Sequence, residues 1–154
     1  TESLIMGEPE DEYTTIQAGQ ATGELVGGNL SLFTKLVCGK YAVNVQDKIL
    51  FLEELGFEAA PEMVNSNIYY LKQNGVFDRI AGLWIGNYEH PSKVSIEKII
   101  KNAIEDEYKF PIIKSDNFGH IDKKIIIPIG TKAEINTNEK IKIKLVEKCV
   151  DEGK

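Results

Sequence analysis

Arginine is almost missing from this chain, Arg79 being the only one, and there are just two histidines, two cysteines and one tryptophan. One guanidinium cannot supply bidentate readout along a phosphate backbone, which argues against nucleic acid as a partner. Cys38, Cys149, His90 and His120 lack the local spacing of zinc ligands, so no metal and no other cofactor is expected. Two idle thiols in a reducing compartment is the plain reading of the cysteines. Long apolar runs are missing as well. Ile125-Ile126-Ile127 is short and follows two lysines, and nothing here reaches the length that spans a membrane. The N-terminus lacks a basic stretch leading into an apolar one, so no secretory signal is expected and the cytoplasm is the expected location. Residues 1–34 hold no lysine or arginine at all, against Glu2, Glu8, Glu10, Asp11, Glu12 and Glu24.

What remains is ordinary for a folded protein: 154 residues, 42% hydrophobic and 27% charged, with mean hydropathy −0.21. That suffices for one domain with a core of its own. Lys and Arg number 18 against 24 Asp and Glu, giving −6, and the acidic leader accounts for the whole imbalance. Residues 1–12 read as an acidic linker or tail, residues 13–148 as the domain, and residues 149–154 as a second tail.

Patterning within the domain alternates between strand and helix. Tyr13–Ile16 and Gly23–Val26 are strand-like, and Gly27-Gly28 is expected to break the chain. Asn29 is placed to cap a helix whose apolar positions are Leu32, Phe33, Leu36 and Val37. Ile49–Leu52 has the continuous hydrophobicity of a strand buried on both faces and is expected to stop at Glu53-Glu54. A helix after Pro61 carries Val64, Ile68 and Leu71 and ends near Gly75. Ile80–Gly86 is a further strand, Ser95 caps a helix striped by Ile96, Ile99, Ile100, Ala103 and Ile104, and Pro111–Ile113 is a strand. The C-terminal part reads as β throughout, at Ile125–Ile127, Ala133–Ile135 and Ile141–Leu145. The implied fold is α/β, a layered β/β/α domain with a mostly parallel central sheet and β-rich ends.

Chemistry is thinly signalled. The glycines at 23, 27 and 28 lack the lysine and hydroxyl of a phosphate loop, so they read as a tight strand-to-helix turn. Composition alone favours solvated loop carboxylates for Glu53 and Glu54, although strand C-terminal ends in parallel sheets are where site residues gather. His120, at the end of Asn117-Phe118-Gly119-His120, sits on a loop that Phe118 can anchor and Gly119 can turn. An imidazole held there suits general-base work at neutral pH. His90 competes less well, since Pro91 suggests an exposed turn. A glutamate and a histidine make two members of a Ser–His–Glu relay, yet no serine here lies on a Gly-x-Ser-x-Gly elbow.

Six segments in order carry a family resemblance: Gly23–Leu30, Ile49–Glu54, Leu71–Phe77, Gly82–Gly86, Phe118–His120 and Ile127–Gly130. Together they resemble the C-terminal domain of the LD-carboxypeptidase family of serine peptidases, which includes the microcin C immunity peptidases. The resemblance covers about residues 13–147 and implies a swivelling β/β/α fold. It also implies a Ser–Glu–His triad split between two domains, with Glu53 as the triad acid, Glu54 beside it, and His120 as the base. The serine would come from an N-terminal domain absent here, so this chain is expected to be a C-terminal piece, inactive alone, with the acidic leader as connector. Leu71–Phe77 and the loop after Gly86 look more similar to the microcin-immunity branch. The implied substrate is an L,D-linked murein tetrapeptide or a microcin C-like peptidyl or aminoacyl nucleotide, and self-association as a homodimer stays open. The alternative is a non-catalytic ligand-binding module using the same cleft.

Overall fold

The alternation of buried residues along the central strands builds the molecule outward from a single sheet with a different layer on each face. A computed structural model describes residues 4–5, 11–104 and 106–149. The strands are β1 (Leu4–Ile5), β2 (Tyr13–Gln17), β3 (Gln20–Asn29), β4 (Ile49–Glu54), β5 (Gly82–Tyr88), β6 (Ile112–Ser115), β7 (Lys132–Asn136) and β8 (Ile143–Leu145). The helices are α1 (Leu30–Val37), α2 (Pro61–Gln73) and α3 (Ile96–Ile104). The sheet order is β1-β8-β7-β3-β4-β5-β6-β2.

The neighbours β3-β4-β5-β6 run parallel, and each step between them passes through one helix, as a parallel crossover requires. Val26, Leu50, Leu52, Leu83, Ile85 and Ile112 point to the helices, with Leu30, Val64, Ile68 and Ile100 packed against them. Their neighbours Leu25, Ile49, Phe51, Trp84 and Ile113 point the other way, onto Ala133, Ile135, Ile143 and Leu145 of β7 and β8. Helices, parallel sheet and an overlying β layer are therefore stacked in the expected β/β/α order.

The two β layers are one curled sheet. Gln20–Glu24 of β3 pairs antiparallel with β7, and Leu25–Asn29 pairs parallel with β4, so the strand passes from one layer to the other. Outside the central four strands the described pairings are antiparallel, which restricts the mostly parallel description to that centre.

Four local expectations need correcting. First, β3 does not break at Gly27-Gly28. Gly27 takes φ +147°, and a Cβ there would lie 1.8 Å from the Phe51 carbonyl oxygen, so glycine is what lets β3 and β4 close together. Second, α1 buries Leu30, Phe33 and Val37 with Ser31 and Thr34, leaving Leu32 and Leu36 exposed, because the helix starts directly off β3. Third, β4 continues through Glu53 and Glu54, each held in the ladder. Fourth, residues 125–127 form no ladder: Ile125 and Ile127 lean on the β-side core while Ile126 faces solvent. Three consecutive isoleucines there alternate in burial without forming a ladder.

Within the expected leader, Leu4–Ile5 pairs with β8 and Asp11 accepts a hydrogen bond from Asn117. Residues 150–154 of the expected second tail lie outside the described residues.

Candidate active site

The C-terminal ends of β3, β4 and β5 and the loop after β6 meet at one edge of the parallel sheet, the place where such sheets collect ligands. Successive side chains on a strand face opposite ways, so Glu53 follows Ile49 and Phe51 onto the β-layer side while Glu54 follows Leu50 and Leu52 to the helix side. Both carboxylates are buried, at 8% and 3% exposure, and are not the solvated loop groups that composition favoured.

Their partners differ completely. The Oε2 of Glu53 lies 2.9 Å from Nδ1 of His120. A carboxylate accepts and does not donate, so it holds the imidazole in the tautomer with hydrogen on Nδ1 and leaves Nε2 for another partner. The His120 side chain is 57% exposed, against 8% for Glu53. Glu54 instead accepts from Asn29 Nδ2 at 2.6 Å, Leu55 N–H at 3.1 Å and Ser31 N–H at 2.9 Å. It sits at the start of α1, where unpaired amides and the helix dipole favour negative charge. Asn29 caps the same helix, its Oδ1 accepting from Leu32 N–H.

The His120 loop is fixed by packing as well as by hydrogen bonds. Phe118 is buried against Trp84, ring centroids 4.5 Å apart, and touches Phe51 edge-on at 6.0 Å. Gly86 leaves the room for that ring, since a Cβ there would come within 2.4 Å of it. Beyond Gly86, β5 holds one residue more than β4 across the register break, a bulge that turns Asn87 N–H onto the Phe118 carbonyl at 2.8 Å. Gly119 then turns the backbone at φ +124°, and a Cβ there would come within 3.1 Å of Asn87 and 3.4 Å of Glu53.

His120, Glu54, Asn87, Tyr88, His90 and Lys93 are among the residues around a cleft of about 660 Å³. His90 thus shares the cleft with His120 but is engaged locally: its Nδ1 accepts from Ser92 N–H at 3.2 Å. No carboxylate among the described residues holds it as Glu53 holds His120. Tyr88 donates to the Ala59 carbonyl at 2.6 Å, and burial, with Glu62 nearby, pushes its phenol pKa up. Lys114, at the cleft wall, is paired with Asp116 at 2.6 Å.

Among the described residues no serine hydroxyl bonds to His120. Ser31 bonds Asn29, Ser92 meets His90, Ser95 caps α3 through Lys98 N–H, and Ser115 is buried under Trp84. No group of His, Cys, Asp and Glu among the described residues could hold a metal, and Cys38 and Cys149 are exposed free thiols. Sequence reasoning missed the supports of the loop, namely Ser115, Asn117 and the β5 bulge. The one available signal was that Ser115 and Asn117 stand two apart at a strand end.

The fold and this edge define a layered α/β domain that presents an acid–imidazole pair to an open cleft. The chain belongs to the LD-carboxypeptidase C-terminal domain family, which it matches over residues 22–135. A "Probable murein peptide carboxypeptidase" of Bacillus subtilis (strain 168) is 32% identical over 146 residues, covering 91% of this chain and 44% of the relative. The chain therefore spans less than half the length of that curated relative. The microcin C7 self immunity protein MccF, in its inactive mutant apo state, matches with TM-score 0.79 at 18% identity, over 98% of this chain and 52% of that one. An MccF-like protein from Bacillus anthracis str. Ames matches with TM-score 0.76 at 25% identity, over 96% of this chain and 53% of that one. Among the described residues no helix is long and apolar enough to cross a membrane.

Proposed function

We propose that this chain is the acid–base half of a serine carboxypeptidase and that an N-terminal domain supplies the nucleophile. The observation that carries the proposal is the 2.9 Å contact from Glu53 to Nδ1 of a half-exposed His120 at the cleft. In the complete enzyme the serine Oγ attacks the scissile carbonyl while His120 Nε2 takes the hydroxyl proton. His120 then returns that proton to the departing amine as the tetrahedral intermediate collapses, and water repeats the cycle on the acyl-enzyme. Glu53 keeps the imidazole oriented and offsets its positive charge when protonated. Glu54 takes no part in proton transfer, because Asn29, Leu55 N–H and Ser31 N–H at the start of α1 occupy its oxygens.

The substrate is an amide with a free carboxylate beyond the scissile bond, a murein-type L,D-peptide in the first instance. The identity to the Bacillus subtilis relative supports that choice. A peptidyl or aminoacyl nucleotide is the second substrate class, suggested by the MccF-like fold, and the cytoplasm is the proposed site of action. This chain alone is expected to leave an L,D-tetrapeptide intact, whereas the chain joined to its serine-bearing domain releases the terminal residue. Turnover by this chain alone above background refutes the division of labour. An upstream reading frame encoding a serine elbow supports it, and an authentic start codon immediately before Thr1 counts against it.

A further inference from the structure

We infer that Asn117 and Tyr13 are positioning residues that set the His120 imidazole against Glu53, so that the segment entering the domain at residues 11–13 controls the geometry of the base. The brace begins at Trp84, fully buried, whose Nε1 donates to Ser115 Oγ at 2.8 Å. Ser115 Oγ donates in turn to Asn117 Oδ1 at 2.7 Å. Asn117 Nδ2 then donates to Tyr13 Oη at 3.2 Å and to Asp11 Oδ2 at 3.1 Å.

The direction of the chain is forced. A carboxylate only accepts, so Asn117 must turn its amide nitrogen to Asp11, with Tyr13 beside it, and its oxygen to Ser115, whose hydroxyl then donates to it while accepting from the indole N–H. Ser115 and Asn117 are 2% and 6% exposed, so each bond is made in a site that water cannot easily repair. Tyr13 stands directly opposite Ser115 in the β2–β6 ladder, which puts both side chains on one face and brings the phenol to Asn117 two positions along. Burial raises the Tyr13 pKa to about 12, so the phenol stays neutral under ordinary conditions.

Asn117 is three residues before His120, and its own carbonyl accepts from Ile125 N–H at 2.9 Å. With Phe118 held by Trp84 and by Asn87 N–H, little freedom is left between the brace and the imidazole. The consequence for catalysis rests on reading His120 as the base; the positional claim does not, and the two are separable by experiment.

The test uses this chain, labelled with ¹⁵N at histidine, and reads the imidazole nitrogens by NMR. Glu53→Gln marks the signature of a lost carboxylate partner, and His90, on a different loop, is the internal control. Tyr13→Phe removes the phenol hydroxyl, which Asn117 Nδ2 uses as acceptor, and Asn117→Asp replaces the donating nitrogen with an oxygen facing Tyr13 and Asp11. In both folded variants the His120 Nδ1 signal is expected to move toward the Glu53→Gln position while His90 stays in place. In the enzyme completed by its serine domain, kcat falls on the order of tenfold with KM unchanged. His120 signals superimposable on the unaltered chain overturn the inference, and so do equal shifts at both histidines. Should Asn117→Asp fail to fold, Tyr13→Phe decides alone. An absent imidazole shift counts against the brace whatever the activity, and an unchanged kcat with the shift present counts against the proposed function only.

Discussion

Exchanging each of two adjacent glutamates for glutamine should produce opposite phenotypes, because β4 delivers them to opposite faces. In Glu53→Gln the amide oxygen still accepts from His120 Nδ1, so the fold loses little. What is lost is the charge beside an imidazole that becomes cationic during turnover. A hydrogen bond to a charged group contributes about 1.5–3 kcal/mol against about 0.5–1.5 kcal/mol for a neutral one, so exchanging one for the other costs about 1–1.5 kcal/mol and kcat should fall by a factor of about 5 to 13 from that contribution alone. Any flip of the amide that turns its nitrogen to His120 raises the loss further, toward the ~10⁴ seen when a triad acid is made neutral in other serine proteases. In Glu54→Gln the amide oxygen is best placed at Oε1, where Asn29 Nδ2 and Leu55 N–H both donate. Its nitrogen then faces Ser31 N–H, formerly 2.9 Å from Oε2, donor against donor at a buried position. One such orphaned pair costs about 1–3 kcal/mol, appearing as a lower denaturant midpoint with an unchanged m-value. Kinetics are measured on the enzyme completed by its serine domain, and unfolding on this chain. A crippled kcat in Glu54→Gln with normal activity in Glu53→Gln refutes the reasoning, and so does equal destabilisation by the two.

Gly86→Ala forces a methyl into the Phe118 ring; stability should drop by about 1–3 kcal/mol, and kcat should fall beyond what the unfolded fraction explains. Normal kcat in the folded fraction would separate Phe118 from His120. Asn29→Ala removes the α1 cap and a donor to Glu54, and is expected to cost about 1–2 kcal/mol in chemical denaturation. Tyr13 has a folded pKa of about 12 against 10.0 for the free phenol, so its contribution is complete below pH 10 and fades as pH rises from there to about 12. Urea midpoints measured at about pH 9 and about pH 11 should diverge more for the unaltered chain than for Tyr13→Phe; equal divergence sinks the assignment. Ile126→Thr, at a side chain 90% exposed, should change stability by less than about 0.5 kcal/mol.

The elements readable from sequence were those whose local pattern and tertiary role agree. Val64, Ile68 and Leu71 repeat at the helical period and are all buried in α2, and the stripe from Ile96 to Ile104 is buried in α3. Asn29 was legible as a cap since the geometry of capping is local. Leu32 and Leu36 misled because apolarity cannot say which face of a short helix meets the sheet, and Leu30, Phe33 and Val37 fit the same period. Glu53 and Glu54 were hidden for a different reason. Two consecutive carboxylates look like the end of a strand, and only partners 23 to 67 residues away show why each tolerates burial. Ile125–Ile127 shows the converse error, in which a run of apolar side chains reads as a strand although it forms no ladder.

Under the proposed function, the position of the Glu–His pair also explains how half of an active site can reside in one domain. Parallel strands end together, so Asn29 at the end of β3, Glu53 and Glu54 at the end of β4, Asn87 and Tyr88 at the end of β5, and the His120 loop after β6 share one edge. Glu54 is held by Asn29, Ser31 N–H and Leu55 N–H, Tyr88 by the Ala59 carbonyl, and the Asn87 backbone N–H by Phe118, whereas the outward nitrogen of His120 has no hydrogen-bond partner among the described residues. On that proposal, a base oriented within its own domain leaves a second domain to supply the hydroxyl it deprotonates and the donors that hold the oxyanion. The serine can then arrive on a separately folded surface, provided that surface docks against this edge and no other. Grafting a bulky charged residue at Leu55, which is 39% exposed on the cleft rim, should therefore abolish activity of the two-domain enzyme while leaving the Glu53–His120 imidazole signature untouched. Full activity in Leu55→Glu would mean that the nucleophile approaches from elsewhere.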